Sequence, residues 1–384
     1  MGERNAQVGI ITFHCSNNYG AMLQAYGLKR FLNGKGIGTE IVRYEPPYMT
    51  GRHWWIPYAP IQGLKGRIWG LFHMWNGFLA HMRVREEFSG QRANMERFRR
   101  TYLLEPGQRK ALSVRGLRKL TYRCYIVGSD QIWNPAITCG LRRAYFGAFQ
   151  ASGKEKVISY AASFGGASIP DRYDEKFGRL VRHVDALSVR EEAAIPYVKR
   201  FYEGEVAAVL DPVFFLERET WQQAEKAPEK KGYILVYVTE GNRRMAEYAG
   251  KLAREKKLSV VEVRAGLQGA DQGFDLDVTA GPAEFLGYIH HADYVVTNSF
   301  HAVAFSIIFQ KKFLAFAHSS LSARLQNILR IHGLEDRICG EGDRDIDALV
   351  DWGEVRRRTV EASRASGEFL LGNLLGNLRG IQAV

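Results

Sequence analysis

Val8-Gly-Ile-Ile-Thr-Phe13, His14-Cys-Ser-Asn-Asn-Tyr19 and the run from Gly20 through Met22, Leu23, Tyr26, Leu28, Phe31 and Leu32 decide the fold. The first piece is a short apolar run of strand type, and the second is a polar break. The third repeats its apolar residues at helical spacing. Asn33-Gly34 and Gly36 supply the stop signal for that helix. Thr39-Glu-Ile-Val-Arg-Tyr44 then reads as another strand. Strand, loop, helix and strand in close succession form a βαβ unit, which implies a parallel sheet.

Working outward, the rhythm breaks at 46–120. Pro46, Pro47, Pro57 and Pro60 mark an irregular stretch, followed by Trp54, Trp55, Trp69, Phe72, Trp75 and Phe78 among basic residues. This spacing suits one or two inserted helices. Strands return at Cys124–Val127, Val157–Ala161, Asp185–Val189 and Ala207–Leu210. A charged seam, Ala227-Pro-Glu-Lys-Lys231, precedes a second series. It comprises strand Gly232–Val238, helix Met245–Lys256, strand Leu258–Val263, helix Phe285–His290, strand Tyr294–Val296, helix Val303–Phe309 and strand Phe313–Phe316. The expected domains are 1–228, with the insertion at 46–120, then 229–350, then a helical tail at 351–384.

The composition excludes several classes. The chain has 384 residues, 46% apolar and 24% charged, which is globular rather than disordered. Neither a signal peptide nor a membrane-spanning run is read, and the four cysteines form no CxxC pair, so a reducing cytoplasm is expected. The net charge is +12, and residues 52–123 alone carry 15 Lys/Arg against 4 Asp/Glu. Such a field attracts polyanions or anionic lipid. A solvated helical face accounts for it equally well.

Polar groups collect where strands end, which is where open parallel sheets bind ligands. Asn17, Asn18 and Tyr19 open the first helix and suit an anion or sugar hydroxyls, with a plain capping loop as the alternative. Asp130, Trp133 and Asn134 combine a carboxylate, an aromatic plate and an amide, the parts of a sugar site, although a strand-end turn uses the same residues. Thr297-Asn-Ser-Phe-His301 lies between strand and helix, so His301 is a candidate acid/base, with Asn298 and Ser299 at a helix N-terminus suited to phosphate. Arg190 and Arg324 are candidate anion anchors. No metal set is expected: HExxH and Cys/His clusters are absent, and His290 and His291, adjacent on a helix, are expected to point apart.

In this order the segments resemble the polysaccharide pyruvyl transferase family. The matching stretches are Gly9–His14 with Asn18–Tyr26, Val127–Asn134, Ser159–Gly165, Leu187–Glu191, Val209–Val213, Thr297–His301, and Ser322–Arg324 with Gly333–Arg337. The resemblance spans about 8–338 and leaves out 46–120 and the tail. Ala302 stands where many relatives carry Gly, a change the family tolerates. The resemblance implies an α/β fold of two Rossmann-like domains facing a cleft, GT-B-like. It implies transfer of a pyruvyl group from phosphoenolpyruvate to a sugar of a cell-surface glycan or its precursor, lipid-linked among the forms open to it, giving a cyclic ketal without an organic cofactor. In family terms His301 is the acid/base, and Arg190 and Arg324 are anion-binding residues on the donor side. The residues themselves add Asp130 as the group that takes or orients an acceptor hydroxyl, Ser299 and Asn298 on the donor side, and Asn17, Asn18, Tyr19, Trp133 and Asn134 on the acceptor side. The competing readings are a nucleotide-sugar glycosyltransferase on the same architecture and a basic membrane or nucleic-acid module. Nucleic acid is not expected as a partner; peripheral contact with the anionic inner membrane face is.

Overall fold

The computed structural model describes residues 7–49, 88–150, 155–264, 273–316, 322–340, 342 and 344–378. The six inserted aromatics, Trp54 to Phe78, and residues 52–87 of the basic stretch lie outside the described residues.

The opening stretch folds as its pattern dictates. Strand β1 (Val8–Ile11) is buried throughout, as a strand covered on both faces of a parallel sheet must be. Asn18 caps helix α1 (Tyr19–Gly34) by accepting a hydrogen bond from the Ala21 N–H at 3.0 Å. The chain reverses through Gly36, whose φ of +76° favours glycine. Strand β2 (Thr39–Ile41) ends before Tyr44, because Tyr44 bridges to Ala111 instead.

The first sheet continues with β3 (Cys124–Asp130), β4 (Lys156–Ala162), β5 (Ala186–Val189) and β6 (Val206–Ala208), in the spatial order β2-β1-β3-β4-β5-β6. The second contains β7 (Tyr233–Tyr237), β8 (Ser259–Val263), β9 (Asp275–Asp277), β10 (Tyr294–Thr297), β11 (Lys312–Phe316) and β12 (Ile338–Cys339), in the order β12-β11-β10-β7-β8-β9. All pairings in both sheets are parallel. The strand order reverses at β1/β3 in the first sheet and at β7/β10 in the second. Crevices open at such switch points, beyond the carboxyl ends of the strands. The architecture is α/β, two Rossmann-like domains in a GT-B-like arrangement.

Among the described residues, several elements join the domains, including the following. Tyr19, with no exposed surface, stacks on Phe285 of helix α8 (Pro282–His291) at 4.8 Å, and its hydroxyl donates to the carbonyls of Arg264 and Ala280. Helix α2 (Ser89–Phe98), within the insertion, reaches the second domain through Gln91 to the Arg264 carbonyl and Asn94 to the Thr279 carbonyl. The last helix, α11 (Trp352–Leu378), returns to the first domain. There the Ser366 hydroxyl accepts from the Leu210 N–H and Ser363 donates to the Phe214 carbonyl, while Leu370 and Leu374 are buried. Each large apolar side chain buried this way contributes roughly 1.5–3 kcal/mol.

Candidate functional site

Both switch points open onto one cleft of about 370 Å³. The first domain lines it with Asn18 and Gly20 beyond β1 and with Asp130 and Gln131 at the end of β3. The second lines it with Thr239 beyond β7, with Ser299 and His301 beyond β10, and with Arg324. Helix α9 (Phe300–Ile308) starts here because Ser299 caps it, accepting from the Ala302 N–H. The cap places His301 in the first helical turn. Helix α10 (Ser322–His332) carries Arg324 in the same way.

His301 belongs to the second domain but is positioned by the first. Its ring lies against the α1 backbone at Gly20, where a Cβ would stand 1.9 Å from Nδ1. Its Nε2 is 3.7 Å from Asp211 Oδ2, an ion-pair distance too long for a hydrogen bond, and this buried nitrogen has no hydrogen-bond partner. Asp211 accepts from Arg190 Nη1 at 2.8 Å, from the Ser129 hydroxyl at 3.3 Å and from the Val213 N–H at 3.2 Å. Burial pushes its carboxyl upward, but the facing imidazole and the Arg190 guanidinium outweigh this and hold it at about 2.

Arg190 stands behind the cleft rather than lining it. Its Nε donates to Glu191, its Nη2 lies 3.8 Å from Asp130, and its guanidinium sits 4.6 Å over the Phe300 ring. Arg324 is the cation that reaches the cleft. It is 7% exposed, its Nε has no hydrogen-bond partner, and burial together with the nearby Arg190 charge lowers its pKa to about 10. A guanidinium buried with an unmet donor suits an anion. Asp130 adopts φ +76° and accepts from the Gln131 N–H at 2.8 Å.

The structure therefore brings Asn18, Asp130, Ser299, His301 and Arg324 together in the cleft and places the other expected site residues outside its lining. Tyr19 is an interdomain core residue, its hydroxyl already engaged. Trp133 presents no face to a sugar: it is fully buried, stacked on Phe146 at 5.1 Å, and its Nε1 donates to the Tyr145 carbonyl. Asn298 is buried and ties the loop after β7 to β10, accepting from Thr239 and donating to the Glu240 carbonyl. Asn134 is hydrogen-bonded to Gln131 and to the Ala136 N–H, beside the cleft. Asn17 is exposed and does not line the cleft. Arg190 braces three carboxylates. Sequence reasoning missed Asp211 and Gly20 as site residues. An acid closing the apolar run Val206–Leu210 and standing before proline was a usable signal for Asp211; Gly20 carried none without its partner across the domains.

His290 and His291 do not point apart. Both reach Glu225, at 2.9 and 3.1 Å, because they end helix α8 and their side chains converge on one carboxylate. This is the one group of potential metal ligands among the described residues. The second nitrogen of His290 already meets Arg218 and Gln222 at 3.2 Å.

The family model for polysaccharide pyruvyl transferases matches residues 18–320. The chain belongs to that family. A comparison with curated proteins finds no match. Among solved structures, this pyruvyl transferase family member is similar to UDP-GlcNAc 2-epimerase from Neisseria meningitidis bound to UDP-GlcNAc (11% identity, 95% of this chain and 99% of that one, TM-score 0.43). It is also similar to Arabidopsis thaliana UGT89C1 complexed with quercetin (11%, 98% and 94%, TM-score 0.41) and to the glycosyltransferase SnogD from Streptomyces nogalater (12%, 98% and 100%, TM-score 0.38). Likeness at this level says nothing about what this chain binds. No helix among the described residues is long and apolar enough to cross a membrane.

Proposed function

We propose that this transferase moves a pyruvyl group from phosphoenolpyruvate to two hydroxyls of one sugar in a glycan or glycan precursor, forming a pyruvate ketal and releasing phosphate. The observation that carries this reading is the meeting of His301, Asp130 and Arg324, drawn from both domains, in one cleft at both switch points.

The donor bears a phosphate and a carboxylate, so its site needs fixed cationic or N–H donors. Arg324 and the N-terminus of α9 supply them. Protonated His301 delivers a proton to the methylene carbon of the enol, which becomes a methyl group. The C2 carbon then carries the positive charge and is attacked by the first sugar hydroxyl, whose proton passes to Asp130. The C2–O bond to phosphate breaks, and the second hydroxyl closes the ring. Of the two hydroxyl protons, one balances the new methyl hydrogen and the other leaves on phosphate. Asp211, 3.7 Å from its Nε2, keeps His301 in place.

Calorimetry with phosphoenolpyruvate tests the donor assignment. Wild type is expected to give a clear isotherm that Arg324→Ala abolishes. A uridine diphosphate sugar binding in place of phosphoenolpyruvate would overturn it in favour of glycosyl transfer. The same proposal seats the enzyme on anionic inner-leaflet lipid through residues 52–123, and flotation without preference for anionic vesicles would remove that part.

A further inference from the structure

Beside the cleft lies a second cavity of about 470 Å³. The two share a wall. Met49, Gln131 and Ile137 face the cleft, while their neighbours Tyr48, Asn134 and Ala136 face the second cavity, with Asn134 Nδ2 donating to Gln131 Oε1 at 3.0 Å. Its lining is unlike that of the cleft. Two guanidinium groups border it, each lying over an aromatic ring: Arg142 over Tyr48 at 4.5 Å and Arg172 over Tyr173 at 5.0 Å. Arg142 is oriented by its Nε, which donates to the Thr138 carbonyl at 2.6 Å. Among the described residues no acidic side chain lines the cavity, and neither arginine has a carboxylate partner. Aromatic surface with an amide accommodates a sugar ring. Stacking fixes the planes of the two guanidinium groups, so their N–H edges remain available to an oxyanion.

We propose that this cavity is an acceptor subsite for an anionic sugar, one carrying a phosphate or carboxylate that Arg142 and Arg172 bind while the neighbouring hydroxyls reach His301 and Asp130. The inference rests on the pyruvyl-transfer reading and adds the charge class of the acceptor. It also gives a local purpose to part of the chain's positive charge. Guanidinium groups accept phosphate and carboxylate in the same bidentate manner, so the two sources are separated by experiment.

The test is calorimetry on the full chain with glucose, galactose and mannose, their 1-phosphates, and glucuronate and galacturonate. At least one anionic sugar is expected to bind about tenfold or more tightly than its neutral parent. The sugar phosphate and uronate arms identify the group. The preference should vanish in Arg142→Gln/Arg172→Gln, while phosphoenolpyruvate binds that variant as it binds wild type. Arg172→Gln alone, at an exposed position, should lose part of the preference if the double variant folds poorly. Equal binding of neutral and anionic sugars, no binding of any anionic sugar, or a preference that survives the double variant but disappears in Arg324→Ala would overturn the proposal. Failure of the donor reading is visible separately, as absent phosphoenolpyruvate binding to wild type.

Discussion

Two clusters in this chain are built from the same groups, histidine, carboxylate and arginine, and they have opposite character. At Asp211 the carboxylate is fully buried and already satisfied by Arg190, Ser129 and a backbone N–H, while His301 Nε2 is left without a hydrogen bond beside an open cleft. At Glu225 the carboxylate is shared between His290 and His291, and both nitrogens of His290 have partners. Both clusters join the first domain to the second: Asp211 faces His301, and α8 is tied to helix α6 (Arg218–Ala224) and the residue after it. A histidine is available for chemistry when its neighbours satisfy one another and leave it an unmet site that substrate can reach. A histidine whose nitrogens are all engaged is structural, however many titratable groups surround it.

The largest expected effect tests that contrast directly. His301→Ala should lower kcat by about 10²–10⁴, the usual contribution of a placed acid/base, with the melting temperature nearly unchanged. His290→Ala should leave kcat within about threefold, inside the surface-mutation range. Steady-state kinetics on both decide. If the two lose activity equally, the contrast fails.

Asp211→Asn comes next. Its effect should fall on kcat, by roughly 10², with the KM for phosphoenolpyruvate little changed, because Asp211 acts through His301. Asp211→Glu should recover part of the loss. A pH effect accompanies it. Asp211 ionises at about 2 in the folded chain against an ordinary 3.8, so folding binds fewer protons between those values. The associated stability is fully present above about pH 4 and is lost as the pH falls through about 2, amounting to about 2 kcal/mol. Acid unfolding followed by circular dichroism should show this loss in wild type and not in Asp211→Asn.

Legibility in the sequence followed the range of the interaction. β1, β3 and β7 were readable because a strand covered on both faces is apolar along its whole length. β9, Asp275–Asp277, was not, because it is a half-exposed edge strand of mostly acidic residues, and β12 has only two residues. At the site, Ser299 and His301 were legible from a strand-to-helix loop, a local feature. Trp133 was misread because strand-end spacing does not tell which way a side chain faces, and its ring turned inward against Phe146 and Phe164. Tyr19 was misread because the second domain that buries it is more than 200 residues away in sequence, as its bond to the Arg264 carbonyl shows.

Gly20→Ala sharpens the comparison at a smaller scale. In an ordinary helix this change stabilises by roughly 0.5–1 kcal/mol. Here the new Cβ would meet the His301 ring at under 2.6 Å on three of its atoms. The ring must move, so turnover should fall about tenfold while the helix gains little. A variant that is both more stable and fully active would show that His301 does not work from this position.

Glu225→Gln should have the smallest effect, and it probes the other side of the comparison. The contacts it alters are partly exposed, and such pairs contribute about 0–1 kcal/mol. Gln keeps an acceptor for His290, so melting should shift by no more than a few degrees and kcat should not change. Zinc offers the sharper measurement. Three potential ligands stand within 4.8 Å of one another, but coordination by His290 Nδ1 would require that nitrogen to give up its proton. The proton would have to move to Nε2, which faces the Arg218 and Gln222 donors and cannot hold it without losing both bonds. Added zinc is therefore expected to leave the melting temperatures of wild type and Glu225→Gln alike. A rise confined to wild type would mean that the cluster's hydrogen bonds yield to a metal, and the distinction between engaged and available histidines would then need a term for ligand competition.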